Sequence, residues 1–322
     1  MKRLFQTLGL GWALCAYSPA LPARDLVFGV VYLDSQGFYA GVRNGVEKAA
    51  AASGLRIRLI DINVSGDLAK ESSFVQILTA NRVDAIILSA ISADGSVKAI
   101  RHAASAGIPV ICYNTCINEA SLGKYVTAFV LGDALRFGEM LGAEAAIQLT
   151  RLGVRSPRVG VLNCEFVEVC VQRRKGFEKA LKARLPDSRV VANQEATVLD
   201  KALSVGQGML LAQPEINVLF GESGGATLGA IKAVQKSGRS GKVHVFGSDM
   251  TTELAHELFD HRVLKATVDV SGTELGRMAF ALALAATHGK QPAQRVQQAR
   301  IGLYAAPESA KAWLAGHPDG LP

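Results

Sequence analysis

Nine polar residues could do chemistry here, and they share one context. Asp34, Gln36, Asn114, Thr115, Glu165, Glu168, Glu222, Ser223 and Asp249 each follow a short apolar run of strand length. Any one of them could simply form a turn or cap a helix. As a set they match what parallel strands deliver, a polar rim at the carboxyl edge of a sheet, where ligands of α/β proteins bind. Phe38 and Tyr39 stand beside the first of them. Adjacent aromatics at that rim can pack on the apolar face of a small ligand.

Three sharper chemistries compete for the same residues. Gly221-Glu222-Ser223-Gly224-Gly225 has nucleophile-elbow spacing, and Asp249 and His256 or His261 follow in triad order. Asp249 ends the very next strand, however, and both histidines fall at the following helix. A hydrolase of that type needs more sheet in between, and it would leave the first half of the chain without a role. No lysine follows these glycines in phosphate-loop spacing. The histidines at 102, 244, 256, 261, 288 and 317 are scattered. The reading is therefore of a binding protein, with no enzyme activity, metal or cofactor expected.

The compartment is read from the N-terminus. Lys2 and Arg3 precede Leu4–Ala16, an apolar stretch of signal-peptide length, and small residues near 18–23 offer cleavage sites. Residues 1–23 read as a cleaved signal peptide for export to the periplasm, and no later apolar run reaches membrane-span length. Cleavage lowers the net charge from +7 to +5. The excess of 35 Lys and Arg over 28 Asp and Glu is dispersed. Only Arg173-Arg174-Lys175 is tight, and it reads as a solvated helix face rather than a nucleic-acid patch. Four cysteines remain in the mature chain: Cys112, Cys116, Cys164 and Cys170. Export permits disulfides, and the two close pairs suggest local loops stapled at Cys112–Cys116 and Cys164–Cys170, although four cysteines allow three pairings. CxxxC and CxxxxxC without a nearby His are a poor zinc pattern.

The elements that must position these residues alternate strand and helix. Strands are expected at Val27–Leu33, Arg56–Ile60, Ala85–Leu88 and Pro109–Tyr113, with helices between them and Asp67 and Asp94 as caps. After a long helix from Asp133 to about Arg151 the alternation restarts at Arg158–Leu162 and runs to Leu264–Val268. A helix at Thr273–Thr287, one strand-like stretch at Val296–Tyr304, a helix near Pro307–Leu314 and a loose tail at Gly316–Pro322 complete the chain. The fold class is α/β, two similar doubly wound parallel halves.

The chain resembles the type I periplasmic solute-binding proteins of ABC importers, the ribose- and galactose-binding group. The carriers are GVVYLDSQGFYAGVRNGVEKAA, VDAIILSAISADG, AGIPVICYN, QRRKGFEKAL, INVLFGESGGATLGAIKAVQKSG, VFGSDMT and VLKATVDVSGTELG, in that order. The resemblance implies two Rossmann-like lobes joined by a hinge of three crossings, near Ala128–Asp133, Thr267–Gly272 and Val296–Tyr304. Residues 24–131 plus 271–297 would form the first lobe, and 132–270 plus 298–322 the second. It carries the family's aromatic pair onto Phe38 and Tyr39, the preceding polar residue onto Gln36 and the charged pair after the fourth strand onto Asn114 and Thr115. The arginine ahead of the KGF block falls on Val171, the second-lobe asparagine on Ser223, the aspartate on Asp249 and a hinge glutamine on Val270. With Glu165, Glu168 and Glu222 on the same rim, an acidic cleft is expected. It would suit a sugar, a polyol or an amine-bearing molecule. The implied partners are a small-molecule ligand and an inner-membrane ABC permease, for a monomer that binds no nucleic acid. A sensor presenting to a histidine kinase or chemoreceptor is the alternative.

Overall fold

The computed structural model describes residues 25–35 and 37–322. The signal-peptide reading of 1–23 and the ligand reading of Gln36 lie outside the described residues. Five strands of the first half are β1 (Leu26–Tyr32), β2 (Ile57–Asn63), β3 (Ala85–Leu88), β4 (Val110–Tyr113) and β5 (Ala128–Gly132). Five of the second half are β6 (Arg158–Asn163), β7 (Arg189–Glu195), β8 (Val218–Gly221), β9 (His244–Ser248) and β10 (Leu264–Val270). Two short strands follow, β11 (Val296–Ala299) and β12 (Ile301–Tyr304). The first sheet runs β11-β5-β4-β3-β1-β2 and is parallel throughout. The second runs β12-β10-β9-β8-β6-β7, and only β12 is antiparallel. The two orders are the same winding used twice.

The helices of the first half are α1 (Gly37–Ala52), α2 (Leu68–Ala80), α3 (Val97–Ser105) and α4 (Glu119–Tyr125). Those of the second are α5 (Ala134–Arg151), α6 (Glu168–Arg184), α7 (Leu199–Ala212), α8 (Gly224–Lys236) and α9 (Thr252–Asp260), and α10 (Gly272–Thr287) and α11 (Pro307–Gly316) end the chain. Asp67 caps α2 through the Lys70 amide as expected. Asp94 does not cap α3: its carboxylate accepts from Asn118 Nδ2, and Ser96 occupies the N-cap. The short α4 was not anticipated, because it buries no residue and so carries no apolar stripe.

The chain crosses between sheets three times. β5 belongs to the first sheet, yet α5 packs on α6 of the second half; β10 belongs to the second, yet α10 packs on α1. The stretch expected as one strand at Val296–Tyr304 is two strands in different sheets, with the exchange at Arg300. The C-terminus is not loose. Pro322 O accepts from Thr273 N at 2.8 Å, and Asp319 meets Lys48 Nζ at 2.8 Å and Asn44 at 3.2 Å. One apolar cluster contains Phe28, Val42 and Phe280 of the first lobe and Phe137, Phe177 and Phe220 of the second. Among the described residues no helix is long and apolar enough to cross a membrane.

Candidate functional site

Because the strands of each lobe are parallel, their carboxyl ends form one rim per lobe. The order reverses between β1 and β3 in the first sheet and between β6 and β8 in the second, leaving a crevice above each pair. Tyr39 stands in the first turn of α1, just after β1. Its hydroxyl lies 3.3 Å from Ser89 Oγ, at the end of β3, and accepts from Asn114 Nδ2 at 3.2 Å. Thr115 Oγ1 lies 2.7 Å from Ser89 Oγ and donates to Ala90 O at 2.6 Å. The ends of β1, β3 and β4 are thus tied by a neutral network. Burial pushes the Tyr39 phenol up to about 12, so it keeps its proton at ordinary pH.

Asn114 has φ of 58°, left-handed backbone that Asn adopts more readily than most residues. The turn is held by Asn114 N to Val130 O at 2.8 Å and by the Cys112–Cys116 disulfide. Phe38 is buried in the core and meets the Tyr39 ring edge-on at 5.1 Å. Asp34 is exposed, and its carboxylate accepts from the Ser35 amide within the turn.

The second rim is built differently. Arg173 is buried, which corrects the expectation of a solvated face for the triplet. Its guanidinium lies 4.2 Å over the Phe137 ring, and Nη1 donates to Glu222 O at 2.9 Å. The chain departs here from the carry-over of the family's arginine to Val171. Two residues along a helix turn about 200°, so Val171 and Arg173 point to opposite sides, and it is Arg173 that lies on the buried face with Cys170 and Phe177. Close packing of α5 on α6 fixes that face: a Cβ on Gly138 would come 1.9 Å from Arg173 O, and one on Gly176 would come 2.2 Å from Leu135 O.

Asp249 follows β9 with φ of 66° and is buried; its Oδ2 accepts from Gly224 N at 2.7 Å. Burial raises its pKa, opposed by Arg173 and the Gly224 amide. Behind it Asp269 accepts from Met250 N, and burial pushes its carboxyl up to about 8. Ser223 is the N-cap of α8. Its Oγ accepts from Ala226 N at 3.2 Å and donates to Thr197 O at 3.0 Å. Glu222 is fully buried with Oε2 on Cys164 N at 3.0 Å, and burial pushes it up to about 8.

The expected acidic cleft does not form. Arg174 binds Glu165 through Nε at 2.5 Å and also pairs with Glu178, while burial favours the neutral form of Glu222. Glu168 is exposed at the start of α6 and accepts from Gln172 Nε2. The cysteines pair as Cys112–Cys116 and Cys164–Cys170, each with Cα atoms 5.5 Å apart. The two rims lie close together: α1, which carries Tyr39 on the first lobe, touches α8 of the second, whose first residue is bonded to Asp249. Tyr39 and Asn114 belong to the first rim and Asp249 to the second, with Thr115 supporting Ser89. Ser89, Arg173 and Asp269 were not anticipated. Ser89 follows the apolar run AIIL and was open to the same strand-end argument as the rest.

Residues 27–291 match a family described as "Periplasmic binding protein domain". The ABC transporter periplasmic-binding protein YphF of Escherichia coli (strain K12) is 52% identical over 299 residues, covering 93% of this chain and 91% of that protein. The ribose import binding protein RbsB of Bacillus subtilis (strain 168) is 28% identical over 79% of both chains. Among solved structures, a periplasmic solute-binding protein of Actinobacillus succinogenes 130z with bound D-allose superposes with a TM-score of 0.80 at 22% identity, over 90% of this chain and 100% of that one. One from Bacillus halodurans C-125 with bound myo-inositol gives 0.79 at 21% identity, over 90% and 98%.

Proposed function

The chain belongs to the periplasmic binding protein family and is the substrate-binding component of an ABC importer for a small polar molecule; from that premise we propose that its ligand is a neutral sugar or polyol held between the two rims. The observation that carries this reading is the approach of the two rims: α1, which carries Tyr39, touches α8, whose first residue is bonded to Asp249. The chemistry offered is that of polyhydroxyl recognition. The Asp249 carboxylate accepts from hydroxyls, the Arg173 guanidinium donates to them, and the Tyr39 hydroxyl lies beside the Asn114 amide. With Glu165 paired and Glu222 protonated, no surplus of negative charge favours an amine. The names of the relatives point the same way, to ribose, D-allose and myo-inositol.

In this reading the protein does no chemistry on its ligand. It is exported by its N-terminal signal, works as a monomer, and on hinge closure presents both lobes to a membrane permease. Both lobes contribute to the ligand site, so ligand capture and closure are one event. A thermal-shift screen over D-ribose, D-allose, xylitol, myo-inositol and a set of amines tests it. A neutral polyol should raise Tm by mass action. A rise with amines alone would overturn the ligand class.

A further inference from the structure

We propose that Glu222 and the Cys164–Cys170 disulfide are positioning groups for Arg173: together they lock the first turn of α6 onto the end of β8 and set the direction in which the guanidinium enters the cleft. The inference rests on the reading of Arg173 as a ligand-facing residue. The parts are contiguous. Cys164 leaves β6 and Cys170 lies in the first turn of α6, so their bond ties the helix start to the sheet. Arg173 follows Cys170 by one helical turn on the same face.

Glu222 fills the crevice between β6 and β8 beneath this loop. Its carboxyl accepts from Cys164 N at 3.0 Å, its carbonyl is 3.6 Å from Cys164 Sγ, and the same carbonyl takes Arg173 Nη1 at 2.9 Å. One residue therefore holds both the staple and the guanidinium. Phe137 lies beneath the guanidinium, and α5 blocks retreat because Gly138 leaves no room behind Arg173 O.

Two buried polar atoms remain without a partner in this unit, Glu222 Oε1 and Arg173 Nε. The charged groups that bear on Glu222 are Glu165 on the stapled loop and Arg173 and Arg174 on α6. A protonated Glu222 brings no charge into its crevice. An ionised one would leave a buried carboxylate oxygen unpaired, and relief comes only by drawing Arg173 toward it or by admitting water under the loop. Either response turns the guanidinium from its place. Burial with Glu165 nearby keeps the proton on up to about pH 8. The unit is thus built to hold Arg173 rigidly below that pH, with the loop ordered before ligand arrives.

The test begins without ligand. In the full mature protein the Arg173 Nε–H resonance, assigned by its loss in R173K, is followed from pH 5.5 to 9.5. It should move with a midpoint near pH 8 in the unaltered protein, stay fixed in E222Q, and shift or broaden in C164S/C170S. Dithiothreitol added to C112S/C116S, with circular dichroism confirming a retained fold, should shift or broaden the resonance as C164S/C170S does. An unchanged midpoint in E222Q would assign the titration to Asp269 and overturn the role of Glu222. An unchanged resonance on removal of the disulfide would overturn the staple. D-Allose calorimetry then gives a second readout. E222Q should lose the pH dependence of binding seen in the unaltered protein, and C164S/C170S should bind about tenfold more weakly, one lost charge-assisted contact. If the resonance behaves as described but no sugar binds, the positioning unit stands and the sugar reading fails.

Discussion

The two rims perform the same task with opposite materials. The first is neutral: Tyr39, Ser89, Asn114 and Thr115 share hydrogen bonds, and each can donate or accept. The second is ionisable: Arg173, Asp249, Asp269 and Glu222 are all buried, and three of them are carboxyls held above their ordinary range. Both crevices are bridged at the same topological point, by Tyr39 to Ser89 over β1 and β3 and by Cys164 to Glu222 over β6 and β8. Each rim carries a loop closed by a short disulfide. The difference teaches how the binding energy should divide. A neutral hydrogen bond nets about 1 kcal/mol and a charged one about 1.5–3 kcal/mol, so the second rim should dominate affinity and the first should tune shape.

The largest effect should come from breaking the ionisable rim. R173A removes a buried cation, its stacking on Phe137 and its hold on Glu222 O, and takes away the charge that favours the ionised form of Asp249. Stability should fall by about 3–5 kcal/mol in urea unfolding, with sugar binding lost. D249N keeps the left-handed backbone but loses the charge, and calorimetry should show affinity down by about 10–100-fold with Tm nearly unchanged. On the neutral rim, Y39F removes one hydroxyl shared with Ser89 and Asn114 and should cost about fivefold in Kd. If Y39F were the more damaging of the two, the division of labour would be reversed.

Acid and base sharpen the same contrast. Glu222 and Asp269 each bind a proton more tightly folded than unfolded. The stability this contributes is full below the unfolded pKa, near pH 4–4.5, and is lost as pH rises toward about 8. Unfolding free energy should therefore decline across that window, and E222Q should flatten the slope by about 1.4 kcal/mol per pH unit. An equal slope in E222Q and the parent would remove Glu222 from the account. The smallest effect is expected from D319A, at the exposed contact of the C-terminal segment with Lys48 and Asn44. It should cost no more than about 1 kcal/mol in urea unfolding.

Much of this architecture was legible in the residues. Apolar runs such as VFGVVY and AIIL, each followed by a polar turn, mark strands and rim together, and the repeat of that pattern after Arg158 marks the second lobe. The third crossing was placed, but its form was hidden. VQQA and IGLY both read as strand, and nothing local says that they join different sheets. Arg173 was hidden because RRK on an amphipathic segment looks solvated. The groups that bury it, Phe137 and Glu222 O, come from distant parts of the chain. Glu222 was misjudged for the same reason, since its burial depends on the loop closed by Cys164 and Cys170. Charge at the cleft is a tertiary property: Glu165 looks like a ligand until Arg174 and Asn193 are seen to hold it.

The central claim is that a neutral polyhydroxyl ligand sits between the two rims and draws most of its affinity from the second. Paired calorimetry of the parent protein and D249N with the sugar or polyol giving the largest thermal shift tests it most directly. The account predicts one site per chain, and at least tenfold weaker binding in D249N at unchanged stoichiometry, the effect of one lost charged contact. Equal affinity in the two proteins would contradict it.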